Sequence, residues 1–250
     1  MQGETIYDMK EPRRTIIDVH AHVIPGVDDG ARSMDESCQM LSLAAGQGIR
    51  TVFATPHYSR RREIPQLREQ AARLQEKIRE QYPDFKLYVG QETYYHEGLV
   101  DRLREGKAYT LADSSYVLVE FGEADPYGVI FNGIRILLNS GYVPILAHME
   151  RYSCLRKEGA MRELLKCGCL FQMNYDSLQG SGFDCEVRWC RRQVANGWIH
   201  LLGTDMHRID YRPPDVEGAL RWLERHVEEE LLEAMLCGNS LCIINNDRID

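Results

Sequence analysis

The chain has 250 residues, enough for one large α/β domain with a proper core. Its formal charge is −8 with no long basic run, which argues against a general nucleic-acid binder. No apolar stretch reaches membrane-spanning length and the start, MQGETIYDMKEPRR, lacks the apolar core of a signal peptide, so a cytoplasmic protein without membrane insertion is expected.

Residues 1–14 read as a short N-terminal extension and 15–250 as a single domain. The domain opens with TIIDVH (15–20), the first of seven short apolar runs. Ser33 and Glu36 carry a capping-box signal for a helix that Gly48 can close. The second run is TVFATPH (51–57). Leu67, Ala71, Leu74 and Ile78 then mark one face of a helix over 64–82. KLYVGQE (86–92) and YVLVEF (116–121) follow, then a helix over 128–140. VPILAH (143–148), a helix over 156–167, CLFQMN (169–174), a helix over 184–196 and WIHLLGTD (198–205) complete the alternation. Residues 215–236 read as a last amphipathic helix, broken near Val227-Glu228.

Each apolar run is continuous rather than alternating, as expected of strands buried on both faces of a parallel sheet. Such alternation with helices fits an open doubly wound sheet or a closed barrel. The polar residues decide between them. An open sheet gathers ligands at one switch point. Here a polar residue ends every run, and a barrel brings all those ends to one mouth. A distorted seven-stranded (β/α) barrel is therefore expected.

The run ends are His20 and His22, His57, Glu92, Glu120, His148, Asn174, and Asp205 with His207; Asp29 follows the first pair in a DDG turn. His20 and His22 share one face of a strand end, so both can bind one ion, and Asp205 with His207 repeats the spacing. Mixed nitrogen and oxygen donors suit manganese, iron or zinc. A single His at a strand end is more often a packing or hydrogen-bonding residue than a ligand. Nine donors at matching strand ends are hard to explain by chance. His96, His200 and His226 fall outside the pattern and read as ordinary side chains. Several metals with a bridging water give a nucleophile at neutral pH and a Lewis acid. Arg151 and Arg212 each lie a few residues beyond a candidate ligand, and guanidinium forks match phosphate oxygens. Arg60, with Arg61 and Arg62, adds positive charge beside the mouth that could attract an acidic phosphoprotein; a solvated loop explains it equally well.

The eight cysteines form an even set, but a chain of this size needs no staples, so reduced thiols are expected. Cys167-Gly-Cys169 lies on an apolar run and reads as a pair of buried, inert thiols. Cys185 and Arg191 have the spacing of a thiolate phosphatase, yet the residues between them are bulky and helical, not a glycine-rich phosphate cradle.

The strings DVHAHVIPGVDDGARS, ATPHY, GQETYY, LVEF, LAHMERY, QMNYDSLQGSGF and GTDMHRIDYRPP resemble the bacterial metal-dependent protein-tyrosine phosphatases of capsule and exopolysaccharide operons, in the PHP (polymerase and histidinol phosphatase) superfamily. The likeness runs from about Ile16 to the end, with seven motifs in the family's order. It implies a PHP-like distorted seven-stranded barrel with three metal ions, usually manganese. One ion would take His20, His22, Glu92 and Asp205. A second would share Glu92 and add Glu120 and His148. A third would take Asp29, His57 and His207. Arg151 and Arg212 match the family's phosphate-binding positions. A metal-bridging hydroxide would attack phosphorus in line, with no phosphoenzyme intermediate. The implied substrate is a phosphotyrosine-bearing protein, the tail of a bacterial tyrosine kinase governing polysaccharide export. Met149 and Met206 depart from the family's common residues without removing a ligand.

The nearest rival is a histidinol-phosphate or other small-molecule phosphoesterase using the same metals. An amidohydrolase also opens with His-x-His, but no Lys ends a strand here. A non-enzymatic metal-binding scaffold is a third reading, and it fits poorly with a complete donor set and two placed arginines.

Overall fold

The computed structural model describes residues 14–58 and 66–249, and within them the apolar runs become parallel strands. In chain order the strands are β1 (Ile16–Ala21), β2 (Ile49–Ala54), β3 (His57–Tyr58), β4 (Lys86–Val89), β5 (Glu92–Tyr94), β6 (Tyr116–Glu120), β7 (Val143–Leu146), β8 (Leu170–Asn174) and β9 (Leu201–Gly203). They form two sheets, β1-β2-β4 and β3-β5-β6-β7-β8-β9. The result is an α/β fold with a curled parallel sheet.

Seven continuous strands were expected, and hydrogen bonding gives nine segments among the described residues. The second and third runs are each cut in two. Pro56 has no N–H to give to a ladder. Gly90 donates instead to Ala54 O, at 2.9 Å. The register survives both cuts, because Ala54 pairs with Val89 and His57 with Glu92 at the same offset. Each cut is thus a local kink along one strand path. At the other end, Asp205 N donates to His20 O and His22 N to Met206 O, both at 2.8 Å. That joins the end of the last run to the first strand.

The side chains explain why the runs lack alternation. Ile17 and Val19 pack with Leu118, Ile145, Leu170 and Leu201 in one cluster. The intervening Val117, Leu146, Phe171 and Leu202 join helix residues such as Leu41, Leu74, Ile134 and Leu223 in another. Burying each such side chain contributes about 1.5–3 kcal/mol, and here both faces of the sheet collect that gain.

The helices are α1 (Met34–Gly46), α2 (Leu67–Arg79), α3 (Leu99–Arg104), α4 (Tyr127–Asn139), α5 (Ala160–Cys167), α6 (Cys185–Ala195), α7 (Glu217–His226), α8 (Glu229–Glu233) and α9 (Asn239–Asn245). Ser33 Oγ caps α1 by accepting from Glu36 N at 3.2 Å. The reciprocal arm differs from the expected box: the Glu36 carboxylate accepts from Arg32 N at 2.9 Å and takes the Arg32 guanidinium as well. The helix expected from 156 starts later, after a 3-10 turn at Ser153–Arg156. The last helix breaks at Val227-Glu228 as expected and then continues through a π-helical turn, Ala234–Gly238. Arg14 grips Glu229 and lies 3.5 Å from Glu224, so the edge of the expected extension is tied to the body. The rest of that extension, residues 1–13, lies outside the described residues, as does the start of the helix expected from 64. Among the described residues no helix is long and apolar enough to cross a membrane.

The three histidines outside the pattern bond to backbone. His96 Nδ1 lies 2.7 Å from Glu97 O and His226 Nδ1 2.7 Å from Trp222 O. His200 Nδ1 accepts from Phe171 N at 3.1 Å, and burial pushes its pKa down from 6.5 to about 4. An imidazole depressed in this way stabilises the fold above its unfolded value. That stability is lost as pH falls from about 6.5 through about 4, where the unfolded chain takes up the proton first. His200→Asn keeps a side-chain acceptor without the titration. Its melting temperature should fall less than that of the wild type between about pH 7 and about pH 4.5. Parallel curves would remove His200 from the acid response.

Candidate metal centre

The strand ends converge as their spacing requires. Glu92, at the start of β5, is the hub. Its Oε2 lies 3.2 Å from His20 Nε2, 3.3 Å from His22 Nε2 and 3.0 Å from His57 Nδ1. Its Oε1 lies 2.6 Å from His148 Nε2. Asp205 Oδ1 is 3.5 Å from His20 Nε2 and 3.4 Å from His22 Nε2. Glu120 reaches His57 Nδ1 at 3.3 Å and His148 Nε2 at 3.7 Å. Asp29 stands 3.6 Å from the Nε2 atoms of both His57 and His207. All nine donors read from the sequence therefore meet at one mouth.

The hydrogen bonds fix the tautomers. Gln172 Oε1 accepts from His148 N at 2.7 Å, so it must also accept from His20 Nδ1, 3.1 Å away. His22 Nδ1 donates to Asp28 Oδ2 at 2.8 Å, and His207 Nδ1 to Asp205 O at 2.8 Å. With each Nδ1 carrying the proton, each Nε2 turns its lone pair inward. The Nε2 atoms of His20 and His22 then face each other at 3.2 Å. Glu92 Oε2 is buried and has no hydrogen-bond partner. Converging lone pairs beside an unsatisfied buried carboxylate oxygen fit a cation.

Three donor groups are close enough to hold ions: His20, His22 and Glu92; His57, Glu92 and Glu120; and His22, Asp29, His57 and His207. They differ from the expected partition in three respects: Asp205 is not in the first group, His57 takes the place of His148 in the second, and His22 joins the third. His57 faces Glu92 and Glu120 through Nδ1 and Asp29 through Nε2, so it stands between the second and third groups.

An ion entering this centre has to displace protons that the imidazoles otherwise hold against these carboxylates. Burial opposes a charge on His57, but Glu120 and Glu92 outweigh it and raise its pKa to about 10. Burial likewise opposes ionisation of Glu92, and His20 and His148 outweigh it and hold Glu92 well below the usual carboxylate range. His207 goes the other way, lowered to about 4 by burial and by the charge of His22.

Both candidate clamps meet one atom. Arg151 donates to Asp205 Oδ2 at 2.7 Å and Arg212 to the same oxygen at 2.8 Å. Asn174 Nδ2 adds a third bond at 2.9 Å, and Gln172 Nε2 donates to Asn174 Oδ1 at 2.8 Å. Arg60 lies outside the described residues. His148 (φ 30°), Asp205 (φ 51°) and Arg212 (φ 56°) all occupy the left-handed backbone region. Such conformations cost about 1–3 kcal/mol each and persist only where their surroundings impose them.

The sequence reading missed Asp28 and Gln172. Asp28 is the first Asp of the DDG turn. Besides His22 it accepts from His57 N and Gly30 N, each at 3.0 Å, and His22 together with these backbone donors overcomes burial to lower its pKa to about 2. Gln172 lies two residues before Asn174, hence on the same strand face, and that spacing was the available signal. Gly203 also serves the centre, since a Cβ there would come within 2.7 Å of His20 Cβ.

The cysteines stand apart from this chemistry. All eight are free; Cys169 is buried, but Cys167 is exposed, contrary to the expected pair of buried thiols. Cys185 opens α6 and Arg191 lies in the same helix, donating to Leu178 O at 2.9 Å. No phosphate cradle lies between them. Cys185→Ser should leave phosphate release unchanged, and loss of activity in that variant would reinstate a thiolate mechanism.

Known proteins resemble this chain. Tyrosine-protein phosphatase CpsB of Streptococcus pneumoniae is 33% identical over 82% of this chain and 88% of its own length. Tyrosine-protein phosphatase YwqE of Bacillus subtilis is 29% identical, covering 94% and 93%. A crystal structure described with YwqE and CpsB as metal-dependent tyrosine phosphatases superposes with a TM-score of 0.84 at 29% identity, covering 94% of this chain and 96% of that one. A phosphotriesterase homology protein from Escherichia coli shares only the fold, with a TM-score of 0.59 at 11% identity over 94% of this chain and all of its own. Residues 16–245 match the family described as capsular polysaccharide synthesis, CpsB/CapC, and the chain belongs to that family.

Proposed function

We propose that this chain is a manganese-dependent protein-tyrosine phosphatase that takes phosphate from the tyrosine-rich tail of a bacterial kinase controlling polysaccharide export. The observation that carries it is the placing of two guanidiniums on Asp205 beside a donor set built for cations. The CpsB and YwqE relatives support the same activity.

In this reading His20, His22, Glu92 and Asp205 hold one ion. Glu92, Glu120 and His148 hold a second, and Asp29, His57 and His207 a third. When bound, the ions supply an activated water and Lewis acidity at the phosphoryl oxygens. Asp28 and Gln172 keep His22 and His20 in the ligating tautomer. Arg151 and Arg212 bind the phosphate and stabilise the charge that builds in the transition state. Arg60 contributes at the approach. The kinked strand paths count as seven staves of one barrel, which forms a single domain over 15–250 in a cytoplasmic protein.

The test is phosphate release from a phosphotyrosyl peptide, with manganese and after metal stripping, beside histidinol phosphate. Metal-dependent turnover with clear preference for the peptide is expected. Preference for histidinol phosphate would move the protein to small-molecule metabolism. Turnover that survives complete metal removal would overturn the mechanism.

A further inference from the structure

Tyr211 is an aromatic side chain beside the donor cluster, next to His207 and Arg212. It is 51% exposed, unusual for a ring so near a buried centre. The turn that carries it is pinned at both ends. His207 N donates to Arg212 O at 3.0 Å, Arg208 N to Tyr211 O at 3.0 Å, and Tyr211 N to Arg208 O at 3.3 Å. Two guanidiniums lie near the ring, with Arg208 Cζ at 5.2 Å and Arg212 Cζ at 5.5 Å from its centroid. The His207 ring meets it edge-on, at 6.4 Å and 85°. Tyr211 therefore touches a proposed phosphate clamp and a proposed metal ligand, and it still presents aromatic surface to solvent.

We propose that Tyr211 sets the preference for aryl over alkyl phosphates by packing against the phenyl ring of the substrate. This rests on the phosphatase reading, in which Arg212 holds the phosphate. In an aryl phosphate a single ester oxygen separates phosphorus from the ring. A phosphate on the Arg212 guanidinium thus brings the substrate ring into the neighbourhood of Tyr211. Aromatic rings attract at centroid separations of about 4.5–7 Å, in offset-stacked or edge-to-face arrangements. An alkyl phosphate offers no such face. The pinned turn lowers the ordering cost, since Tyr211 has only two side-chain torsions to fix.

Calorimetric titration of manganese-loaded protein with phenylphosphonate and with methylphosphonate tests this without turnover. The wild type should bind the phenyl compound more tightly. Tyr211→Ala should reduce that preference by about two- to tenfold while leaving methylphosphonate affinity unchanged. Tyr211→Phe should keep it, because the ring and not the hydroxyl makes the contact. A wild type without phenyl preference would overturn the inference, as would a Tyr211→Ala variant that retains it or that weakens both ligands equally. Wild-type turnover of the phosphotyrosyl peptide is assayed in parallel. Its absence would remove the phosphatase reading while the two affinities still decide the role of the ring.

Discussion

Glu92→Gln is expected to leave the fold intact and to cut turnover by at least about a thousandfold, more than the about 10–100-fold lost when a ligand's outer partner is removed. The amide has the shape of the carboxylate, so packing in this buried position survives. What goes is the charge. Glu92 belongs to two of the three donor groups and faces four imidazoles. A neutral amide cannot balance two cations on its two sides. The amide nitrogen would also point a donor where a lone pair is needed. Metal content measured on purified variant and wild type should show lost ions together with lost turnover. His20→Ala and Asp205→Ala should show the same pairing. A Glu92→Gln protein with full metal content and normal turnover would rule out the hub assignment.

Arg151→Ala should lower kcat/KM by about ten- to a hundredfold, from a charge-assisted hydrogen bond of about 1.5–3 kcal/mol. Both parameters should move. KM rises because a clamp holds the ground-state phosphate, and kcat falls because it holds the transition state more tightly. The scaffold should tolerate the change. Asp205 Oδ2 keeps its bonds from Arg212 and Asn174, and Arg151 itself is only partly buried. Arg151→Lys should restore only part of the loss, since an ammonium cannot reproduce the planar fork. Unchanged kinetics in the alanine variant would remove Arg151 from the mechanism.

Most of the donor set was legible because burial makes it conspicuous. A strand covered on both faces has little reason to carry polar groups, so a His or Glu at its end stands out. Glu120 and His148 could be read this way. Asp28 and Gln172 could not. Their work is to hold another side chain, and that partnership exists only once the chain has folded. Gln172 and His20, for example, are 152 positions apart. The strand interruptions were hidden for another reason. Pro56 and Gly90 lie inside apolar runs, and hydropathy does not register a missing N–H or one turned onto another strand. The broken last helix was visible at Val227-Glu228, whereas the π-helical turn at Ala234–Gly238 left no periodic mark.

The left-handed backbone at His148, Asp205 and Arg212 has an evolutionary consequence. Under the proposed roles of these residues, selection for catalysis and selection for stability oppose each other at these positions. Glycine adopts that backbone without steric penalty but brings no imidazole, carboxylate or guanidinium. A duplicated copy relieved of its catalytic duty should therefore drift toward glycine or asparagine at these three points, and become harder to melt as it falls silent. Retention of His, Asp and Arg there distinguishes a working descendant from a merely folded one.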